Sequence, residues 1–304
     1  MTEELKQKLI NTILKNESLR PLSRLARLMK DPLRAFPYYI LATFSHLKPF
    51  PVHFKTLWDT EMTCFLPEGN TFYYYGYCEA NLTNFFVRYI QAGMTVIDVG
   101  AHVGIYSMLS SELVGKGGRV FSFEPTPWTF KILQENTKSL TNVSIFNQAI
   151  SESSRDLIFS DYGPGYGAYN SANLSGAADL NKQPEKITVP SISLAQFCEE
   201  KLLHPDIIKI DSEGYEHEVL VGSLSILENY AIKRPLVSIE VAGGTAWADN
   251  SHQAFTLLES LGYTPYEIQQ NGLISKHIFK DTYTYDNLLF VPKERVSELV
   301  KFLA

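Results

Sequence analysis

The chain has 304 residues, of which 45% are hydrophobic and 20% are charged, and its formal net charge is −6. This is the composition of a globular protein with a full core, organised as one large domain with an extension or as two smaller domains. The acidic balance argues against a nucleic-acid partner, because such a protein usually has a basic surface.

The sequence also indicates the cellular location of the protein. Cys64, Cys78 and Cys198 show no C-x-x-C spacing, which indicates reduced thiols rather than a disulfide framework or a zinc site. The charged first residues lack the apolar segment of a signal peptide, and no apolar run approaches the ~18–20 residues that cross a bilayer. We therefore expect a cytoplasmic protein without a transmembrane segment.

Residues 1–60 are predicted to form a helical extension. The apolar face of a first helix consists of Leu5, Leu9, Ile10, Ile13 and Leu14. A second helix is expected to start at Pro21 and stop before Pro32. Its apolar side carries Leu22, Leu25, Leu28 and Met29, and its polar side carries Arg20, Arg24, Arg27 and Lys30. We interpret it as a cap with a solvated basic face, and contact of residues 20–34 with an anionic membrane surface is the alternative.

Residues 61–304 are predicted to form an α/β domain, after a connector over 36–54. A strand pair over 65–77 surrounds a turn signal at 67–70, and a helix follows over 81–91. From residue 94 strands and helices alternate, which is typical of a doubly wound, mostly parallel sheet. The predicted strands are 94–99, 119–124, 143–147, 206–211 and 236–241, with a closing antiparallel pair at 263–269 and 285–291. The predicted helices are 104–114, 127–139, 193–203, 215–228 and 251–261. Residues 155–190 are expected to be an inserted hairpin and loop near the acceptor site.

A glycine turn follows the first strand of this sheet. Asp98 ends the strand, and Gly100 and Gly104 give the spacing Gly-x-x-x-Gly. A dinucleotide turn has Gly-x-Gly-x-x-Gly and directs backbone N–H groups at a pyrophosphate. An acid at this position repels phosphate and suits a cation such as S-adenosylmethionine, which carries a sulfonium and an ammonium group. The turn favours that cofactor, and an NAD(P)-dependent oxidoreductase is the alternative because it shares the sheet and the ribose-binding acid.

Polar residues also end the other strands, where an open α/β sheet binds its ligand. Glu124 can accept both ribose hydroxyls, and Asn147 and Gln148 can read adenine, although Asn147 also suits a turn cap. His102 can contact the cofactor or the acceptor, or face solvent. The residues expected to bind the cofactor are Glu79, Asp98, Gly100, His102, Gly104, Glu124, Pro125, Asn147, Gln148, Ala149 and Asp211.

The turn after the 206–211 strand is rich in acids and is the predicted catalytic region. Asp211 or Glu213 is the candidate general base, because a carboxylate with a raised pKa can accept a hydroxyl proton. The other catalytic candidates are His217, for which a structural role is the alternative, and Glu240. Asp211, Glu213 and Glu240 are also able to hold Mg²⁺ or Ca²⁺. Because no fixed-spacing signature is present, we predict a site without a metal.

Four segments together resemble the FkbM family of S-adenosylmethionine-dependent O-methyltransferases. They are residues 96–104 (VIDVGAHVG), 123–125 (FEP), 208–216 (IKIDSEGYE) and 286–292 (DNLLFVP), within a likeness that spans about residues 75–292. One departure is His102, where the family usually has asparagine. The resemblance implies a class I methyltransferase fold with a seven-stranded sheet whose last pair is antiparallel.

The resemblance also implies methylation of a hydroxyl group on a sugar, glycolipid or secondary metabolite. The expected partner is thus a small-molecule acceptor and not a nucleic acid, and a homodimer is compatible with the sequence. A non-catalytic binding module on the same fold is a further alternative.

Overall fold

The structure, a computed structural model, describes residues 1–45, 48–167, 170–172, 183–241, 248–278, 280, 283 and 286–304. Its strands are β1 (Phe50–Lys55), β2 (Glu61–Leu66), β3 (Thr95–Val99), β4 (Arg119–Phe123), β5 (Val143–Phe146), β6 (Ala149–Ile150), β7 (Asp156–Asp161), β8 (Glu185–Ile192), β9 (Ile207–Ile210), β10 (Leu236–Val241), β11 (Tyr263–Ile268), β12 (Ile274–Lys276) and β13 (Asp286–Pro292). Its helices are α1 (Glu3–Glu17), α2 (Arg24–Lys30), α3 (Pro32–Ser45), α4 (Asn70–Tyr75), α5 (Ala80–Tyr89), α6 (Ile105–Val114), α7 (Pro127–Thr137), α8 (Leu194–Lys201), α9 (Glu216–Val221), α10 (Leu224–Leu227) and α11 (Ala248–Ser260), and a 3₁₀ helix covers Lys293–Phe302.

The central sheet has the strand order β12-β11-β13-β10-β9-β3-β4-β5. Strands β5, β4, β3, β9 and β10 are parallel, and β13 pairs antiparallel with both β10 and β11. This confirms the predicted α/β class and mostly parallel sheet, to which the unpredicted β12 adds an eighth strand among the described residues. The strand order reverses between β3 and β9, which is where sheets of this kind bind ligands.

Most of the predicted elements after residue 94 are present, with one break in a helix. The helix predicted over 215–228 is two short helices, α9 and α10, that meet near Gly222. A Cβ on Gly222 would lie 2.0 Å from the carbonyl oxygen of Ser151, so the two backbones pack directly against each other and only glycine fits there. The predicted hairpin is present as β7 and β8, which pair antiparallel, although part of its loop lies outside the described residues.

The predictions for residues 36–77 are wrong. Residues 36–54 are not a connector, because they contain most of α3 and β1. The strand pair is β1 with β2, and the turn signal at 67–70 leads into helix α4 instead of reversing a hairpin. Tyr74 and Tyr75 are both buried, which a helix against a core permits and an alternating strand does not. The boundary predicted at residue 60, between the helical extension and the α/β domain, lies in the turn between β1 and β2.

The N-terminal helices differ in how they pack. In α1, Leu9, Ile10 and Ile13 are buried as predicted, although Leu5 is exposed. In α2 no residue is buried: Leu25 and Met29 are 67% and 72% exposed, whereas Leu28 is partly buried and packs against the core. The interpretation of this helix as a cap with a solvated basic face stays a prediction. Within the described ranges, no helix has both the length and the apolar character to span a membrane. The three cysteines are buried and form no disulfide, as expected.

The buried side-chain amide of Asn136 joins the β1–β2 hairpin to the domain of the central sheet by hydrogen bonds. The Asn136 side chain accepts the N–H of Thr63 at 2.8 Å and donates to its carbonyl at 2.9 Å. It also donates to the carbonyl of Val103 at 2.7 Å, in the glycine turn. Because Asn136 is buried, these three bonds are shielded from water and hold the segment after β2 beside that turn.

We expect Asn136→Ala to lower the free energy of unfolding by about 2–4 kcal/mol, because it leaves several backbone groups without partners. Urea denaturation measures the change. The control is Asn11→Ala on the exposed side of α1, which should change stability by less than about 0.5 kcal/mol. Equal losses in the two variants would show that the buried bonds do not fasten the hairpin.

Candidate active site

A cavity of about 350 Å³ opens at the carboxyl ends of β3, β4 and β9. This volume is within the range of about 300–1,000 Å³ that is usual for small-ligand sites. Because the strand order reverses between β3 and β9, the cavity lies at that reversal point. Nine residues with predicted roles line it: Glu79, Gly100, His102, Glu124, Pro125, Gln148, Ala149, Asp211 and Glu213.

Five other residues with predicted roles do not line the cavity: Asp98, Gly104, Asn147, His217 and Glu240. Asp98 is only 1% exposed and accepts the Ser107 hydroxyl at 2.6 Å. Asn147 donates to the carbonyls of Glu124 and Pro125, both at 2.9 Å, and so braces the turn after β4. The side chains of Asp98 and Asn147 therefore do not line the cavity, and their hydrogen bonds stabilise the residues next to its wall.

The glycine turn touches the acid-rich turn after β9. A Cβ on Gly100 would lie 1.7 Å from the carbonyl oxygen of Asp211, and Gly100 has φ +72°. Gly104 has φ +97°, and a Cβ there would lie 2.7 Å from Leu133. Gly100 thus requires glycine for the close approach of two backbones as well as for its backbone conformation, and Gly104 requires it for the backbone conformation.

Glu124 presents a preorganised carboxylate to the cavity. Its two oxygens accept the backbone N–H groups of His102 and Thr126, each at 3.0 Å, and the Thr126 hydroxyl also donates to it. Burial raises the pKa of Glu124, and the bonds from these donors oppose that rise. The bonds fix the orientation of the carboxylate before any ligand binds.

His102 and Glu68 form an ion pair at the cavity wall, with 2.8 Å between Nε2 and Oε1. Burial lowers the pKa of His102, but the carboxylates of Glu68, Glu124 and Asp211 together more than offset this, so the pKa is above its usual value. Sequence reasoning missed Glu68, because 34 positions separate it from His102 and only the hairpin brings them together. The indication available in the sequence was that Glu68 lies in the turn predicted over 67–70.

Lys209 supplies a buried positive charge between the strands. Its Nζ lies 2.9 Å from the Asp211 carboxylate and 3.6 Å from that of Asp98. Burial alone would lower the pKa of Lys209, but Asp211, Asp98 and Glu79 together raise it above its usual value. Sequence reasoning gave Lys209 no role, although a lysine within an apolar strand was the signal.

Glu79 faces this charge from the start of α5. Its carboxylate accepts the Tyr106 hydroxyl at 2.9 Å and the Asn287 amide at 2.5 Å. Burial and then the Asp211 carboxylate raise the pKa of Glu79. These bonds fix Glu79 at the edge of the cavity, opposite the turn after β9.

The turn after β9 is shaped by Glu216 and exposes Glu213 to the cavity. Glu216 accepts the N–H groups of Ser212 and Gly214 at 2.9 and 3.3 Å, and burial raises its pKa to about 7. Glu213 has φ +53°. Burial, together with Asp211 and Glu216, holds its pKa well above the usual value. The carboxyl groups of Glu213 and Glu216 thus both bind a proton more tightly than an ordinary glutamate, and Glu213 is the one that lines the cavity.

Asp211, Glu213 and Glu240 do come together, with ligand atoms within 4.8 Å of one another. The sequence analysis grouped these three residues as the set able to hold a divalent cation. In the structure Asp211 is already paired with the Lys209 ammonium group, which compensates part of the charge. The prediction of a site without a metal stays a prediction.

His217 lies away from the cavity wall, at the start of α9. Its backbone N–H donates to the Asn250 side chain at 3.0 Å. The same asparagine donates to Glu218 at 2.7 Å, which joins α9 to α11. This placement fits the structural interpretation of His217, and a catalytic role for it stays a prediction.

A family model described as the methyltransferase FkbM domain matches residues 98–265. The chain belongs to this family. The matched segment runs from the end of β3 into β11 and contains both the glycine turn and the turn after β9. The recognition made from the sequence is therefore confirmed.

Two curated relatives match part of the chain. The hexuronic acid methyltransferase AglP of Haloferax volcanii is 28% identical over 134 residues, which are 43% of this chain and 51% of that protein. The ribosomal RNA large subunit methyltransferase E of Cellvibrio japonicus is 30% identical over 156 residues, which are 49% of this chain and 68% of that protein. The chain thus spans about half the length of the first relative.

Two solved structures are similar at low identity. The methyltransferase FkbM of Methylobacillus flagellatus KT is 14% identical, with 73% of this chain and 52% of that chain covered and a TM-score of 0.41. An O-methyltransferase of Bacillus cereus is 12% identical, with 70% and 80% covered and a TM-score of 0.41. At these scores the likenesses carry no argument about function.

We expect Glu68→Gln to lower the pKa of His102, because burial is then opposed only by the weaker effects of Glu124 and Asp211. In the unaltered protein the raised pKa means that His102 stabilises the fold below about pH 6.5, and that this contribution is lost as pH rises through the folded-state pKa. NMR titration of the imidazole C2 proton measures the pKa. An unchanged His102 titration would contradict the pairing.

Proposed function

We propose that this chain is an S-adenosylmethionine-dependent O-methyltransferase that acts on a hydroxyl group of a sugar-containing small molecule. The observation that carries the proposal is the pair of carboxylates, Asp211 and Glu213, at the wall of a cavity that also borders the glycine turn. Membership of the FkbM methyltransferase family supports the same reaction class.

The cavity wall suits a cationic cofactor without phosphate. Glu79, Glu124, Asp211 and Glu213 all line it, and the positive charge of Lys209 is directed at carboxylates. S-adenosylmethionine, when bound, supplies an electrophilic methyl group. In the proposed arrangement Glu124 binds the ribose and Gln148 and Ala149 border adenine. Glu79 and the backbone of Gly100 hold the methionine part, and Asp98 supports this region through Lys209.

Glu213 is the general base that we favour. Asp211 already accepts a bond from the Lys209 ammonium group at 2.9 Å, whereas the raised pKa of Glu213 brings it closer to that of an effective base near neutral pH. Asp211 then orients the acceptor hydroxyl while Glu213 takes its proton. Positioning of the acceptor is expected to supply most of the remaining acceleration.

An acidic sugar is the acceptor class that we favour. The AglP relative is named for hexuronic acid, whereas the other relative is named for ribosomal RNA. The net charge of −6 disfavours RNA. Arg20 also lines the cavity, with its guanidinium 4.7 Å from the Tyr75 ring and its Nε bonded to Glu17. A guanidinium at the wall can bind the carboxylate of such a sugar.

Cofactor binding is tested by titrating the protein with S-adenosylhomocysteine and with NADH in a calorimeter. We expect heat with the first ligand only. Glu124→Gln should raise the Kd for S-adenosylhomocysteine by ~10–100-fold, because charged hydrogen bonds to the ribose are lost. Glu135→Gln, an exposed carboxylate on α7, is the matched control and should leave the Kd unchanged. Heat with NADH alone would overturn the proposed cofactor.

The general base is tested by methyl transfer from labelled S-adenosylmethionine to glucuronides and other sugar acceptors. We expect Glu213→Gln to lower kcat by ~10²–10⁴-fold with an unchanged Kd for S-adenosylhomocysteine. The control is Glu218→Gln, whose carboxylate bonds Asn250 outside the cavity. If Asp211→Asn and Glu213→Gln both keep full turnover, the assignment is wrong.

A further inference from the structure

Apolar side chains are exposed on one segment of the chain far more than elsewhere. Fourteen large apolar side chains are exposed in the part of the chain that the structure describes. Six of them lie between residues 25 and 44: Leu25, Met29, Leu33, Phe36, Ile40 and Phe44. Single exposed apolar residues are ordinary on a protein surface, whereas a contiguous group of this size marks an interaction surface.

The exposed apolar residues belong to two helices, α2 and α3, that pack against each other. In α3 they follow each other at intervals of three and four, which places them on one face. The opposite face packs inward, where the Tyr38 ring lies 4.7 Å from that of Tyr74 and 6.5 Å from that of Tyr73. Because α3 is fixed to α4 in this way, the exposure of the other face is a property of the folded protein.

The part of the chain around α2 carries mostly positive charge. Residues 20–34 contain five basic residues and one acid, Asp31, in a chain whose net charge is −6. Among the basic residues, Arg24 and Lys30 are exposed. Arg34 pairs with Asp31 at 3.6 Å. An apolar stripe flanked by cations is the pattern of a helix that lies in the interface of an anionic membrane.

We propose that α2 and α3 form a docking surface for an anionic lipid bilayer. Apolar side chains would enter the boundary between headgroups and acyl chains, and the basic side chains would face the headgroup charge. A second copy of the chain is a poorer occupant, because a symmetric contact would bring the two basic segments together. A cap with a solvated basic face is the alternative drawn from the sequence, and the exposure of Leu25 and Met29 favours the membrane surface over it.

The docking surface adjoins the cavity. Arg20, just before α2, lines the cavity, and α4, which packs under α3, contributes Thr71 and Phe72 to its wall. Docking would thus hold the cavity wall beside the headgroups. The proposal is independent of the reaction, because binding to vesicles is measured without an acceptor.

Binding is tested by co-sedimentation of the full chain with vesicles. One set contains phosphatidylcholine alone, and the other contains phosphatidylcholine with about a third phosphatidylglycerol. We expect binding to the anionic vesicles, and at least a tenfold lower partition coefficient on neutral vesicles or in 0.5 M salt, because headgroup attraction is screened.

Two pairs of variants separate the apolar and the basic contributions. Leu33→Asp with Phe36→Asp should lower binding at least tenfold. The control is Leu202→Asp, which should not lower binding, because Leu202 is 87% exposed at the C-terminal end of α8 and lies outside the docking surface. Arg24→Glu with Lys30→Glu should lower binding ~10-fold or more. Lys116→Glu with Lys201→Glu, which changes the same charge elsewhere, should have a much smaller effect. Unchanged binding of S-adenosylhomocysteine, or unchanged circular dichroism, verifies that each variant folds.

Three results would overturn the proposal. The first is absence of binding to anionic vesicles, and the second is equal loss of binding in the variants and their controls. The third is a wild-type dimer, seen by light scattering, that Leu33→Asp with Phe36→Asp converts to a monomer while vesicle binding is unaffected. That result would assign the apolar face to a second copy.

Discussion

The buried ammonium group of Lys209 links the parts of the molecule that meet at the cavity. It lies between the carboxylates of Asp211 and Asp98, at 2.9 and 3.6 Å. Asp98 in turn accepts the Ser107 hydroxyl, which accepts that of Ser122 at 2.8 Å. One charge thereby connects β9, β3, α6 and β4. Removing a partner from such a buried set leaves an uncompensated charge, which is why its members depend on one another.

This network coexists with strained backbone at the cavity wall. Five non-glycine residues of the described chain have positive φ, and three of them, Glu79, His102 and Glu213, line the cavity. Such conformations cost about 1–3 kcal/mol each and persist where the surroundings over-determine them. The bonds to Glu79 from Tyr106 and Asn287 provide that constraint at one of the three. The strain therefore places carboxylates and an imidazole where relaxed backbone would turn them elsewhere.

The sheet and much of the cavity wall were predictable because both follow from order along the chain. Parallel strands end at one edge, so polar residues at their ends converge, and Asp211, Glu213 and Glu240 do lie within 4.8 Å of one another. The direction of a side chain at a strand end was not predictable. Asp98 and Asn147 turn away from the cavity because buried partners are available there. Contacts made across the N-terminal hairpin, such as that of Glu68, depend on tertiary packing that no local pattern encodes.

Tertiary packing, which a local sequence pattern does not encode, also decides which faces of the N-terminal helices are buried. An amphipathic pattern identifies which side of a helix is apolar, but it does not identify what covers that side. In α1 the core covers Leu9 and Ile13, whereas in α3 the aromatic contact with α4 uses the face that carries Tyr38 and leaves Phe36 in solvent. A face left over after packing, and flanked by positive charge, is therefore either a defect of solubility or a surface for a partner, and the clustering of its cations favours the partner.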